Sequence, residues 1–88
     1  MEMLHVYAAE YPHGDVYIAG TTEALKALRQ AIDEAIEHNK SISEEFFTND
    51  GEGFGVLVAT VDEATVSSYV EPYAELQRNG PGPWLLFR

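Results

Sequence analysis

Residues 3–9 alternate, with Leu4, Val6 and Ala8 on one side and His5, Tyr7 and Ala9 on the other. This is the period-two pattern of a half-buried strand. Glu10–Tyr11–Pro12–His13–Gly14 interrupts it with turn chemistry. Residues 15–19 then alternate again, Val16 and Ile18 against Asp15, Tyr17 and Ala19. Together the two runs predict an antiparallel hairpin with a loop of about five residues. After Gly20–Thr21–Thr22 the period changes. Leu25, Leu28, Ile32, Ala35 and Ile36 recur at helical spacing, with Ala24 and Ala31 beside them and Lys26, Arg29, Gln30, Asp33, Glu34 and Glu37 on the other side. A threonine supplies the N-cap oxygen and Glu23 an acidic first turn, and the helix is expected to end near His38.

Residues 44–48, around Phe46 and Phe47, predict a third strand, and residues 54–61 a fourth. Between them Asn49–Asp50–Gly51–Glu52–Gly53 reads as a hairpin turn, because Asp-Gly suits the positive φ of the favoured turn types. In the fourth strand both parities are apolar: Phe54, Val56 and Val58 against Leu57, Ala59 and Val61. Such a strand needs cover on both faces. Residues 62–70 fit either a short helix capped by Asp62 or an extended chain. Pro72 opens a short helix that stops at Asn79–Gly80, and residues 84–88 form a last strand or a docked tail. The expected fold is one α+β domain over residues 1–88. It has an antiparallel sheet of about four to five strands, one long amphipathic helix packed on one face, and a short C-terminal helix. Leu4, Val6, Val16 and Ile18 are expected under the helix. His5, Tyr7 and Tyr17 are expected on the opposite face, as an interface too aromatic to stay bare.

Composition narrows the class. The 88 residues include no cysteine, which excludes disulfides, zinc–thiolate centres and thiol nucleophiles and favours a cytoplasmic setting (the host cytosol if phage-encoded). The first residues lack the pattern of a secretory signal, and no apolar run approaches a membrane span. Fifteen acidic and five basic residues give a net charge of −10, a field that repels nucleic-acid backbones and anionic membranes. The same charge serves solubility, or docking to a basic protein partner.

Candidate chemistry is sparse. His5, Glu10, His13 and Asp15 cluster on or near the first hairpin without a recognised metal spacing, so no metal or other cofactor is expected. Asp15 with Glu52 could serve acid–base chemistry, and with His13 a small metal-dependent hydrolase, only if one carboxyl is buried. No catalytic residue is assigned and the chain is read as a non-enzyme. The few basic residues say more. Lys26 and Arg29 near the helix start, with Thr21 and Thr22 offering backbone N–H groups, suit a small anion. Arg78 and Trp84, which flank Asn79–Gly80–Pro81–Gly82–Pro83, offer a guanidinium fork and a stacking platform. Lys26 and Arg29 also precede Asp33, Glu34 and Glu37, the reverse of what the helix dipole prefers.

The run from Tyr11 to Gly20, then Leu25-x-x-Leu28-Arg29-x-Ala31-Ile32-Asp33-x-Ala35, then Asp50-Gly51-Glu52-Gly53-Phe54 resembles small cysteine-free proteins of bacteria and phages. The resemblance covers most of the chain but carries no catalytic signature. It implies a conflict or anti-defence factor by analogy of size and style. Two mechanisms follow from it. A homo-oligomer would sequester a small nucleotide-like anion between chains, or an acidic inhibitor or immunity-type protein would block a basic protein partner.

Overall fold

The computed structural model describes residues 2–72 and 80–88. The elements are β1 (Leu4–Tyr7), β2 (Tyr17–Gly20), α1 (Thr22–His38), β3 (Lys40–Phe47), β4 (Gly53–Ala59), α2 (Glu63–Ser67) and a C-terminal 3-10 helix (Pro83–Phe87). The class is α+β as expected, but the strands form two antiparallel two-stranded sheets, β1–β2 and β3–β4, not one sheet of four or five. Among the described residues their backbones meet at a single parallel bridge, Met3 to Phe47, with a hydrogen bond from the Phe47 N–H to the Glu2 carbonyl. The first hairpin also has short strands and a long loop, since Ala8, Asp15 and Val16 lie outside them. The C-terminal segment is not a strand; it docks against β4 as a 3-10 helix, with Pro83 in a first-turn position. The expected helix after Pro72 falls on residues 73–79, outside the described residues.

Thr21 caps α1 by accepting the Ala24 N–H at 3.2 Å. At the other end Asn39 takes φ 76°, the left-handed conformation that asparagine tolerates at a helix C-terminus. The chain therefore turns straight into β3, four residues before the expected start. Two hydroxyls, one in β3 and one just past β4, then pin the helix: Ser41 Oγ donates to the Ala31 carbonyl at 2.6 Å and Thr60 Oγ1 to the Ala35 carbonyl at 2.8 Å.

A β-bulge decides which β3 residues enter the core. Ser43 pairs with Val56 and Phe46 with Phe54, so Glu44 and Glu45 together oppose Gly55. The extra residue reverses the parity of the strand. Before it Ser41 faces α1; after it Phe46 does, with no exposed surface, against Leu4 and Ala24. Ala27, Leu28, Phe54 and Val56 pack around this cluster. At the β3–β4 turn Gly51 takes φ 87°, as the Asp-Gly signal implies. At the β2–α1 junction a Cβ on Gly20 would lie 2.9 Å from the Met3 carbonyl oxygen and 3.1 Å from Leu4. Only glycine lets β2 approach β1 this closely where the helix begins.

The helix buries a different stripe from the one expected. Ala24, Ala31 and Ala35 are buried, while Leu25, Ile32 and Ile36 are 44%, 42% and 66% exposed. Small side chains let α1 sit close to the strands, and the larger aliphatics are left on its flank. Of the four residues expected beneath α1, Leu4 is buried, whereas Val6, Val16 and Ile18 are exposed. The helix packs chiefly on β3 and β4, so most of the first hairpin lies beyond its cover.

Candidate functional site

The faces of the two sheets turned away from α1 carry a run of exposed apolar and aromatic side chains. In β1–β2, Tyr7 pairs with Tyr17 and His5 with Ala19. In β3–β4, Ile42 pairs with Leu57 and Phe47 with Gly53. Strand alternation places these pairs opposite Leu4 and Phe46, which face the core. The Met3–Phe47 bridge brings the two outer faces side by side. Tyr7, Tyr17, Ile42 and Leu57 are all exposed on them. The C-terminal 3-10 helix meets this surface only at the far end of β4. There Lys40 Nζ donates to the Leu86 carbonyl at 2.9 Å and lies 5.8 Å from the centre of the Phe87 ring.

His5 couples the two hairpins. The Asn49 N–H donates to its Nε2 at 3.1 Å, so the ring proton sits on Nδ1 and is donated to the Tyr7 hydroxyl at 2.8 Å. The β3–β4 turn is thereby fastened to the rim of the tyrosine patch. Asp50 organises that turn. It accepts the Thr48 hydroxyl and, at 3.0 Å, the Glu52 N–H. These two donors, in that order, hold its carboxyl below the usual carboxylate range. Asp62 is lowered likewise by the Thr65 hydroxyl and N–H, as the cap of α2.

Two open clefts flank the core. One, of about 410 Å³, lies between α1 and β3 and is lined by Gln30, Glu34, Glu44 and Glu45 among others. The other, of about 420 Å³, is lined by Leu4, Val6, Thr48, Glu52, Gly53 and Phe54. Among the described residues both are lined by carboxylates and by no lysine or arginine.

No protein-family model matches the chain, and comparison with curated proteins and with solved structures finds no significant match.

The residues singled out for an anion are distributed over the fold. Thr21 spends its hydroxyl on the helix cap, and Thr22 is the first residue of α1. Lys26 and Arg29 are exposed on α1. Trp84 belongs to the C-terminal 3-10 helix, and Arg78 lies outside the described residues. Of the interface residues, His5 and Tyr7 are joined by a hydrogen bond and Tyr17 stands opposite Tyr7. His13 occupies a positive-φ position in the β1–β2 loop. Among the described residues no group of three or more His, Asp or Glu is placed to hold a metal ion, and no helix is long and apolar enough to cross a membrane. The acidic α1–β3 cleft was not anticipated. It arises from the bulge at Glu44–Glu45, which the sequence pattern does not mark.

Proposed function

We propose that this protein is a non-enzymatic binding protein of the inhibitor type, which docks a basic protein partner on the outer faces of its two sheets. The observation that carries this reading is the exposed Tyr7–Tyr17 pair beside Ile42 and Leu57. Tyrosines present large contact area at low entropic cost and are enriched where protein surfaces meet. Glu10 and Asp15 in the β1–β2 loop beside Tyr7 and Tyr17, and Asp50 in the turn that meets His5, put negative charge at the edge of the patch. An apolar centre with an acidic rim selects a partner whose own patch is rimmed by lysine and arginine.

Trapping of a nucleotide-like anion is the competing mechanism. It needs Lys26, Arg29, Arg78 and Trp84 to converge, whereas the two clefts are bordered by Glu34, Glu44, Glu45 and Glu52. Carboxylates at those positions repel an anion, so the geometry favours the protein partner. A hydrolase built on His13, Asp15 and Glu52 would need a buried carboxyl, and Asp15 and Glu52 are exposed.

Affinity capture from the cells that carry the protein tests this. The wild type is expected to retain a basic protein that elutes as salt rises. Tyr7→Ser/Tyr17→Ser is expected to lose it with the fold intact. A panel of linear and cyclic nucleotides run in parallel is expected to come through undepleted. Nucleotide depletion with intact recovery after heating, or altered nucleotides, would overturn the proposal.

A further inference from the structure

The flank of α1 that the sheets leave open has its own pattern. At about 100° per residue, Leu25, Ile32 and Ile36 fall on one narrow line along the helix, with Leu28 at its inner edge. All three are exposed, Ile36 by two thirds. Arg29, Asp33, Lys26 and Glu37 run along the other edge of that line. The charges are sorted along the axis, basic in the first half and acidic in the second. Of these four only Glu37 lies in a terminal turn of α1, where the helix dipole acts, so the dipole does not account for the order. Nor do these charges satisfy one another: among the described residues the one ion pair joins Glu37 to the neighbouring His38, at 3.7 Å.

From the apolar line and the sorted charges we infer that α1 is a self-association surface, on which a second copy of this chain packs its own α1 antiparallel about a two-fold axis. An axis passing between Gln30 and Ala31 sets Leu25 against Ile36 of the partner subunit, with Leu28 and Ile32 between. The same register brings Arg29 beside Asp33 of the partner subunit and Lys26 beside Glu37 of the partner subunit, and the symmetry repeats each pair. A parallel two-fold pair would set this charged edge against the Leu28 edge of the partner helix and pair none of these charges, so only the antiparallel one turns the sorted charges into complementarity. Such an isologous contact closes on itself, with no open filament. Surface area supports the need for a partner. The protein exposes 6654 Å², against roughly 5200 Å² for a compact monomer of this mass. The difference exceeds the roughly 800 Å² that each partner contributes to a standard protein–protein interface.

This interface is separate from the tyrosine patch, so the two proposals fail independently. Sedimentation of the full chain is expected to show a species of twice the 9.8 kDa chain mass. Ile32→Glu is expected to give a monomer with an unchanged circular dichroism spectrum, and Tyr17→Ser is expected to remain a dimer. Arg29→Asp and Asp33→Arg, each alone, set like charges across the axis and are expected to raise the dissociation constant about tenfold or more. Mixed together, the two variants restore opposite charges and are expected to form a heterodimer of near wild-type affinity. A wild-type protein that stays monomeric, a dimer indifferent to Ile32→Glu, or a mixture no tighter than either variant alone would each overturn the inference.

Discussion

The two hairpins differ in sequence, the first alternating and the second apolar on both parities of its last strand, and they end in different environments. β3–β4 carries eight and seven residues in its strands, lies under α1, and places Phe46 where no solvent reaches it. β1–β2 has four residues in each strand and buries only Leu4 among them. Its cross-strand pairs Val6–Ile18 and Tyr7–Tyr17 lie on opposite faces, and all four side chains are exposed. One hairpin is therefore core and the other is largely surface on both sides. The difference comes from how the helix is seated. Its alanines and the hydroxyls of Ser41 and Thr60 hold it over β3 and β4, and a helix of this length cannot also cover the first hairpin. The exposed side chains of the first hairpin are the surface on which the proposed association rests.

Substitutions that treat the hairpins alike should have unlike effects. Phe46→Ala empties the centre of the core and is expected to cost about 3–5 kcal/mol in urea unfolding. Ile18→Ala in the first hairpin is expected to cost under about 1 kcal/mol, since the side chain is already half in water. Equal losses would mean that the first hairpin is buried by something these contacts do not include. Gly20→Ala comes next. Its Cβ would press on a backbone oxygen at the root of the first hairpin, and a loss of about 1–3 kcal/mol is expected from the forced shift, read as a lower melting temperature. Ser41→Ala removes a buried hydrogen bond to α1 and is expected to cost about 1 kcal/mol.

The smallest effect concerns acid. Asp50 and Asp62 both have lowered folded-state pKa values. Each therefore adds stability above the ordinary value of 3.8, and that contribution is lost as pH falls through the lowered folded value. Asp50→Asn should flatten the acid limb of the stability profile and weaken amide protection at Asn49, where the turn meets His5. A profile identical to wild type below pH 4 would remove Asp50 from the coupling between hairpins.

Several of these features were legible in the sequence. The amphipathic helix, its threonine cap, the Asp-Gly turn and the separation of His5, Tyr7 and Tyr17 from Leu4 followed from period and turn chemistry. The failures have physical causes. Periodicity marks an apolar stripe but not which part of it faces inward. Here the alanines went to the sheets because they permit close approach, and Leu25, Ile32 and Ile36 did not. The bulge at Glu44–Glu45 defeats strict alternation, so the early start of β3 and the acidic cleft were invisible. That the two sheets meet at one bridge is a tertiary outcome that no local pattern encodes. For the site, the tyrosine patch was readable from parity alone, whereas the bond from Asn49 to His5 spans 44 positions and was not.

A photo-reactive amino acid placed at position 17, and separately at position 30 on α1, tests the central claim most directly in living cells. The account predicts that position 17 cross-links to a basic protein other than itself, and that the product disappears in the Tyr7→Ser background. Position 30 should not yield that product. Cross-links to the same partner from position 30 alone, or none from position 17 while the protein is active, would contradict it.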